Sequence, residues 1–482
     1  MSKITTKVAI IGAGVSGLKA AEVLLNEPHS PFQPDDIVIV EAQDRIGGRI
    51  KTDTTKSKLG ISYDLGAAWF HDTLTNQVLK DAVANNYFDV KNDTYYDDKD
   101  IQIYDRNGLI DVSGLKINRV VEDLEKYIEL HYHEELDTED ISLQDIVKQF
   151  VQQYEFMLTP EQIDYSTRIM RYLELWYGIS WDKISGKYSI MDHQGRNLLN
   201  KRGYYFIIEN LLKLVKDIRI LTKQPIVKID RNNKETSKPI CIESSTGLKI
   251  YSDYLLVTVP QSILQLPAAH PYGLTWNPPL PKSIQDALST IHFGALGKVI
   301  FEFDDVWWDE SQDRFEILAD DNQVNLSATI TSPPKPFTYP AYIINFASVH
   351  NKPSLVILTQ SPLTDYLEKN PEQAWNYYKP MLATLAHKGK IPTEPINVIT
   401  TDWTQNPYIR GAYAAVETGD DPSELIIQLS GEFDGCGLSS SHIRFAGEHT
   451  IMDGAGCVHG AYNSGIREAK WILQDVKPRP RL

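Results

Sequence analysis

The stretch VAIIGAGVSGLKAAEVL, residues 8–24, sets three glycines, Gly12, Gly14 and Gly17, between a β-branched apolar run and an alanine-rich helical pattern. Few short patterns restrict a fold as strongly. Val8, Ala9, Ile10 and Ile11 read as a buried parallel strand. The chain must then turn sharply into a helix that begins near Val15. Gly12 permits the turn, Gly14 leaves room for a diphosphate against the backbone, and Gly17 lets the helix lie close to the sheet. The first helical turn carries free N–H groups and the positive end of the dipole, which suits a diphosphate. A second strand, IVIVEA at 37–42, ends in Glu41, whose carboxylate can accept hydrogen bonds from an adenosine ribose. Between helix and strand, NEPHSPFQPDD reads as a surface loop. The expected class is α/β, with a Rossmann-like dinucleotide site.

That fingerprint alone does not separate a flavin from a nicotinamide. The residues after it do. DRIGGRIKT, 44–52, follows the acidic strand end directly. Gly47 and Gly48 allow close backbone approach, and Arg49 can pair with a pyrophosphate through a charge-assisted contact. This E-A-x-D-R-x-G-G-R arrangement resembles the FAD-binding start of the flavin amine oxidase superfamily.

A chain of 482 residues is too long for one core, so two domains are expected. YDLGAAWFHD, 63–72, turns back toward the cofactor domain. Residues 85–150 are polar, acidic and rich in helical patterns, and TPEQIDYSTRIMRYLELWYGISW, 159–181, reads as one amphipathic helix ending in aromatics. KQPIVKIDR, 223–231, and TGLKIYSDYLLVTVPQSIL, 246–264, alternate as strands of the cofactor domain do. HFGALGKVIFEFDDVWW, 292–308, opens a second pass through the other domain. The expected division is an FAD domain of 1–84, 196–290 and 403–482, discontinuous in sequence, and an α+β substrate domain of 85–195 and 291–402.

Near the end, RFAGEHT places Glu448 after a short apolar strand, where it can accept from a flavin ribityl hydroxyl. GAGCVHGAYNSGIREAK then starts a helix near Cys457 or Gly460. An isoalloxazine on that helix tip would have its negative charge on reduction stabilised by the dipole.

The fingerprint, EAxDRxGGR, GALGKVIFEF and AGEHTxMDGAGC together resemble the polyamine oxidases of the flavin amine oxidase family, most closely the fungal ones. AAWFHDTLTN and DHQGRN are narrower and favour that branch. The similarity runs from about residue 8 to 471 and is weakest over 309–400. It implies a two-domain FAD-dependent amine oxidase fold with FAD held non-covalently. The activity implied is oxidation of a polyamine such as spermine: a C–H beside a neutral amine gives hydride to the flavin, the imine hydrolyses to amine and aldehyde, and O₂ becomes H₂O₂. The flavin does the hard chemistry and the protein orients and sets charge.

Residue by residue, Lys298 in GALGKVIFEF resembles the family lysine that holds a water near the flavin and assists its reoxidation. His71 in WFHD matches the position that faces the substrate nitrogen, a role imidazole suits. Phe70 stands where close relatives are expected to carry a polar residue, which would alter the local pocket. Trp69, beside the cofactor, with Trp176, Tyr413 and Tyr462, are the aromatic wall candidates. Asp98 in YYDDKD is a candidate for a distal ammonium, and Asn197 is a further polar candidate. Cys457 lines the cofactor end as a buried small residue without a covalent link. The same scaffold could instead hold a lipophilic ligand without turnover, since a fungal corticosteroid-binding protein resembles this family. No arginine clamp for an amino-acid carboxylate is identifiable, and neither a helical tower nor a basic tail points to a chromatin demethylase.

Composition sets the remaining expectations. The formal charge of −16 opposes a sequence-neutral grip on nucleic acid. Three scattered cysteines, Cys241, Cys436 and Cys457, give neither a disulfide framework nor metal-ligand spacing. The start lacks a signal-like apolar run, and no stretch reaches the ~18 apolar residues of a membrane span. The expected location is cytoplasmic or peroxisomal: KPRPRL reads either as a loose peroxisomal tripeptide or as a basic tail. The expected partners are a small polyamine and O₂, in a monomer or dimer.

Overall fold

A computed structural model describes residues 3–96, 99–133, 138–190, 193–320, 330–431, 438 and 442–476. Five strands, β1 (Val8–Ile11), β2 (Ile37–Val40), β3 (Arg219–Leu221), β4 (Tyr254–Val257) and β5 (Ile443–Phe445), form a parallel sheet in the order β3-β2-β1-β4-β5. Strands β1 and β2 are buried at every residue, so they read as continuous apolar runs. One face is covered by α1 (Val15–Asn26) and the long last helix α2 (Val458–Val476). The other face packs on a second core built around Ile229, Ile242, Ile250 and Leu425.

The two covering helices touch closely. A Cβ at Gly465 would lie 2.4 Å from the Ser16 carbonyl, and Ser16 and Ser464 hydroxyls meet at 3.4 Å. Chain beginning and chain end are thereby locked side by side over one sheet. The segments expected as strands are strands: Ile226–Asp230, Lys249–Ser252 and β4.

A seven-stranded sheet lies elsewhere in the chain. Its order is Asn397–Thr400, Gly297–Glu302, Ser354–Thr359, Ala341–Asn345, Arg314–Ile317, Gln102–Asp105, Gly108–Leu109. Its pairs are antiparallel except Arg314–Ile317 with Gln102–Asp105. Gly297–Glu302 is interior and buried at all six residues, so Lys298 is enclosed and does not reach along the surface to solvent.

One expected element differs. The single helix read over 159–181 is a helix at Pro160–Ile169, a 3₁₀ turn at Met170–Leu173 and a short helix at Glu174–Tyr177, closed by Gly178 at φ 66°. The tighter turn coincides with a fully buried Arg171–Glu174 ion pair at 3.0 Å, to which Trp181 N–H and Gln360 also bond. A periodic pattern cannot show that a charged pair is buried on the helix's own axis of packing. Among the described residues no helix is long and apolar enough to cross a membrane.

Candidate functional site

The carboxyl ends of β1, β2 and β4 open into one continuous cavity of about 1370 Å³. That exceeds the ~300–1,000 Å³ of an ordinary small-molecule site and leaves room for a dinucleotide and a second ligand. The glycine turn forms its floor. Gly12 has φ 108°, and a Cβ there would meet Thr258 Oγ1 at 2.3 Å. A Cβ at Gly17 would meet the Gly12 carbonyl at 2.2 Å, which is the close helix–sheet approach expected of it. A Cβ at Gly14, by contrast, meets no protein atom within 4 Å. Gly14, the N-cap of α1, has no side chain to satisfy the first-turn amides, which leaves them for another acceptor. This is a cradle that a side chain would fill and that a diphosphate fits.

Acidic and basic groups flank the cradle. Glu41 accepts from Ala13 N–H and Gln43 N–H, each at 2.9 Å. Burial raises its pKa, against those two amides and Arg45. Gly48, at φ 57°, sits against the Gly14 Cα. Arg49 Nη1 donates to Glu448 Oε1 at 2.8 Å and to the Ala412 carbonyl at 2.8 Å. Glu448 also accepts from Gly456 N–H at 3.1 Å, and Ala414 N–H approaches at 3.4 Å. Burial would raise the Glu448 carboxyl, but Arg49 and its neighbours outweigh it and hold it below its ordinary value. The late helix α2 starts at Val458, directly behind Cys457. Burial pushes the Cys457 thiol up to about 12.

Beyond the cradle the cavity continues between the two sheets. Lys298 Nζ donates to the carbonyls of Asp64, at 2.6 Å, and Gly66, at 2.7 Å, and lies 5.7 Å from the Trp69 ring centre. Burial lowers its pKa to about 8, while Asp64 opposes the shift. Burial raises Asp64 to about 6; its carboxylate accepts from the Thr52 hydroxyl and Tyr204 N–H. His71 Nδ1 lies 2.9 Å from Asn197 Oδ1. A carbonyl oxygen only accepts, so Nδ1 carries the proton and Nε2 is the acceptor. Burial lowers His71 to about 4, so it is neutral at ordinary pH. Tyr413 donates its hydroxyl to the Trp176 carbonyl, and Trp176 packs edge-on against Tyr342 at 5.1 Å.

The cavity thus gathers Gly12, Gly14, Glu41, Gly48, Arg49, Trp69, His71, Trp176, Asn197, Lys298, Tyr413, Glu448 and Cys457. Tyr462 is a correction. It does not line the cavity but lies between helices, with its hydroxyl on Asp81 at 2.6 Å and the Lys19 ammonium 4.7 Å from its ring. Its neighbours Ala461 and Asn463 do line the cavity, while the Tyr462 ring is held away by Asp81 and Lys19. Phe70 also corrects an expectation. It follows Trp69 on a strand, so it faces the opposite side and packs on Phe88 and Tyr204 instead of shaping the pocket. Asp98 lies outside the described residues.

Three lining residues were missed by the sequence reading: Asp72, His193 and His459. His193 Nδ1 and Gln194 N–H donate to Asp72 Oδ1, at 3.2 and 2.8 Å, and His459 Nε2 lies 3.3 Å from Oδ2. Their signal was present, since Asp72, His193 and His459 stand in WFHD, DHQGRN and GAGCVHG.

A parallel α/β sheet with a glycine-floored diphosphate cradle, opening on a buried lysine and a neutral histidine, defines a dinucleotide-dependent oxidoreductase. A family model described as "Flavin containing amine oxidoreductase" matches residues 15–473. The chain belongs to that family, and its cofactor is FAD. The chain is 54% identical to a corticosteroid-binding protein of Candida albicans, over 98% of this chain and 96% of that one. It is 25% identical to polyamine oxidase 4 of Oryza sativa subsp. japonica, over 96% and 87%. It is 23% identical to the human peroxisomal N(1)-acetyl-spermine/spermidine oxidase, over 99% and 97%. Among solved structures, putrescine oxidase bound to putrescine covers 98% of this chain and 100% of its own, with a TM-score of 0.67 and 16% identity.

Proposed function

We propose that the protein oxidises polyamines of the spermine kind with non-covalently held FAD, releasing an amine and an aldehyde and forming H₂O₂ from O₂. The observation that carries this reading is Lys298 and His71 on the walls of one cavity, flanking Trp69. FAD, when bound, accepts the hydride equivalent and passes electrons to O₂. The chain's own residues do the rest. Neutral His71 presents Nε2 to an amine N–H, which orients the nitrogen next to the bond to be broken without adding a positive charge beside it. Lys298 spends two of its three N–H groups on backbone carbonyls, which fixes the ammonium and leaves one donor for a water. The aromatic walls, Trp69, Trp176 and Tyr413, exclude solvent and accept a methylene chain. The high thiol pKa of Cys457 keeps it protonated and opposes a covalent link. The relatives named polyamine oxidase, aligned along nearly the whole chain, support the substrate class.

A second reading has one specific observation behind it: the 54% identical relative bears the name corticosteroid-binding protein. The cavity's aromatic and aliphatic walls would receive a steroid, with FAD as a resident group and little amine turnover. Anaerobic mixing with a polyamine panel separates the two. Rapid bleaching of the visible flavin band by spermine or a relative supports oxidation. No bleaching by any amine, together with tight retention of labelled corticosteroid, overturns it.

A further inference from the structure

Asp64 touches Lys298 with its backbone and acts on it with its side chain. A short antiparallel pair, Thr52–Asp53 with Tyr63–Asp64, sets Thr52 directly opposite Asp64. The next carbonyls alternate: Asp64 and Gly66 accept from Lys298 Nζ, at 2.6 and 2.7 Å, and Leu65 accepts from Trp403 Nε1 at 2.8 Å. This segment has no freedom to slide. The Leu65 and Ala67 amides bond the Lys51 and Arg49 carbonyls, and a Cβ at Gly66 would lie 1.8 Å from the Arg49 oxygen. The ammonium is thereby indexed to the turn that carries Gly48 and Arg49 at the cofactor cradle.

The Asp64 carboxylate is held by neutral donors. It accepts from the Thr52 hydroxyl and from Tyr204 N–H at 2.9 Å, and Thr52 in turn accepts Tyr205 N–H at 3.1 Å. Both amides lie where the helix Phe206–Leu214 begins. Lys298 likewise bonds only carbonyls through Nζ, and each ion is the charge that acts on the other. The surrounding ionisable groups are engaged elsewhere. Burial raises the Tyr204 hydroxyl well above its ordinary value. Glu368 reaches Lys298 only at its backbone N–H, through the Thr401 hydroxyl. Arg49 pairs with Glu448 and Lys51 with Asp402. Glu302, farther along the Lys298 strand, is taken by Ser57, Lys58 N–H and Asn397.

We propose that Asp64 is the positioning residue for Lys298: its carbonyl fixes where the ammonium sits, and its carboxylate, anchored by Thr52 and the Tyr204 amide, keeps that lysine charged through neutral pH. The consequence for reoxidation rests on the amine-oxidising reading above, whereas the charge pairing rests on these contacts alone. Burial pulls Lys298 down to about 8, and the ionised Asp64 opposes a deeper fall. That opposition is present above about pH 6, where the Asp64 carboxyl is ionised, and fades below it. Asp64→Asn separates the two parts of the grip. It keeps the backbone carbonyl and an acceptor oxygen for Thr52 and Tyr204, and removes only the charge.

The test follows the ε-carbon of Lys298 by NMR in FAD-loaded protein carrying isotope-labelled lysine; the signal missing from Lys298→Met identifies it. Wild type is expected to titrate at about pH 8, with a smaller inflection at about pH 6 as Asp64 ionises. In Asp64→Asn the inflection should vanish and the main midpoint should fall by about one unit, the effect of removing one nearby opposite charge. Thr52→Val strips the hydroxyl donor from Asp64 and should raise the inflection by about one unit, the worth of a hydrogen bond to a charged group. Thr52→Ser should return it. An unchanged Lys298 midpoint in Asp64→Asn overturns the proposal; should that variant not fold, an inflection that ignores Thr52→Val does so instead. The O₂ reaction of the reduced protein tests the functional reading separately, since its pH step should follow the NMR midpoint from variant to variant. Midpoints that move while the step stays put support the charge pairing and count against Lys298 in reoxidation.

Discussion

Arg49 and Glu448, 399 positions apart in the chain, meet as a 2.8 Å ion pair inside the cofactor cavity. Glu448 is almost fully enclosed, whereas Arg49 keeps a quarter of its side chain accessible. The pair joins the turn after β2 to the turn after β5, so it is a cross-brace as well as a local charge balance. Arg49→Ala leaves a buried carboxylate without its cation. The expected loss is about 2–4 kcal/mol in unfolding free energy, below the usual cost for a fully buried pair because Arg49 is partly wet. Chemical denaturation of the FAD-loaded protein measures it. Glu448→Gln, which removes the charge and keeps the acceptor, should lose less.

Gly14 separates folding from cofactor retention. Since a Cβ there meets only open space, Gly14→Ala should fold, losing no more than the roughly 1 kcal/mol that alanine costs at a helix N-cap. It should nevertheless bind FAD at least tenfold more weakly, because the methyl occupies the cradle. Gly12→Ala should fail differently. There φ is 108° and Thr258 blocks the space, so the apo fold itself is expected to suffer. Flavin fluorescence titration and thermal unfolding of both variants distinguish the cases.

Lys298 predicts a pH step. Its pKa of about 8 means the ammonium is present below that value and lost above it. The rate at which the substrate-reduced protein consumes O₂ should therefore fall as pH rises through about 8. Lys298→Met should be slow at every pH and show no step, measured by stopped-flow mixing with oxygenated buffer. A normal rate in that variant would remove Lys298 from the oxidative half of the cycle.

His449 predicts acid sensitivity of the fold. Both ring nitrogens are buried without a hydrogen-bond partner among the described residues, Glu448 lies 4.0 Å from Nδ1, and burial outweighs that carboxylate and lowers the pKa from 6.5 to about 4. The folded state therefore binds fewer protons than the unfolded one between those values. Stability is full above pH 6.5 and is lost as pH falls toward 4, by up to about 3 kcal/mol from this group. His449→Phe should flatten that part of the stability–pH curve, read from urea midpoints between pH 7 and 4.5.

The glycine turn, the acidic end of β2 and the start of α2 were legible because each is a backbone requirement written in local residues. The nucleotide end of the site could therefore be read before any contact was known. His71, Asn197 and Lys298 were singled out only through resemblance, because they come from three distant segments that the fold brings to one cavity. Asp72, His193 and His459 escaped for the same reason: each is unremarked in its own motif, and only the fold brings them to one carboxylate. Tyr462 misled because motif membership says nothing about long-range partners: Asp81 and Lys19, from distant segments, hold its ring among helices. The 3₁₀ turn that interrupts the helix coincides with the buried Arg171–Glu174 pair, whose burial periodicity does not record.

The contact of Gly465 with Ser16 has a consequence for how the molecule is made. The diphosphate cradle is translated well before the groups that complete it, Glu448 through Val458. The newborn chain therefore carries an incomplete pocket through most of its synthesis. Colour should arrive only once those late groups have joined the cradle, and a premature stop shortly before β5 would leave a protein unable to keep its flavin however well the earlier strands had paired.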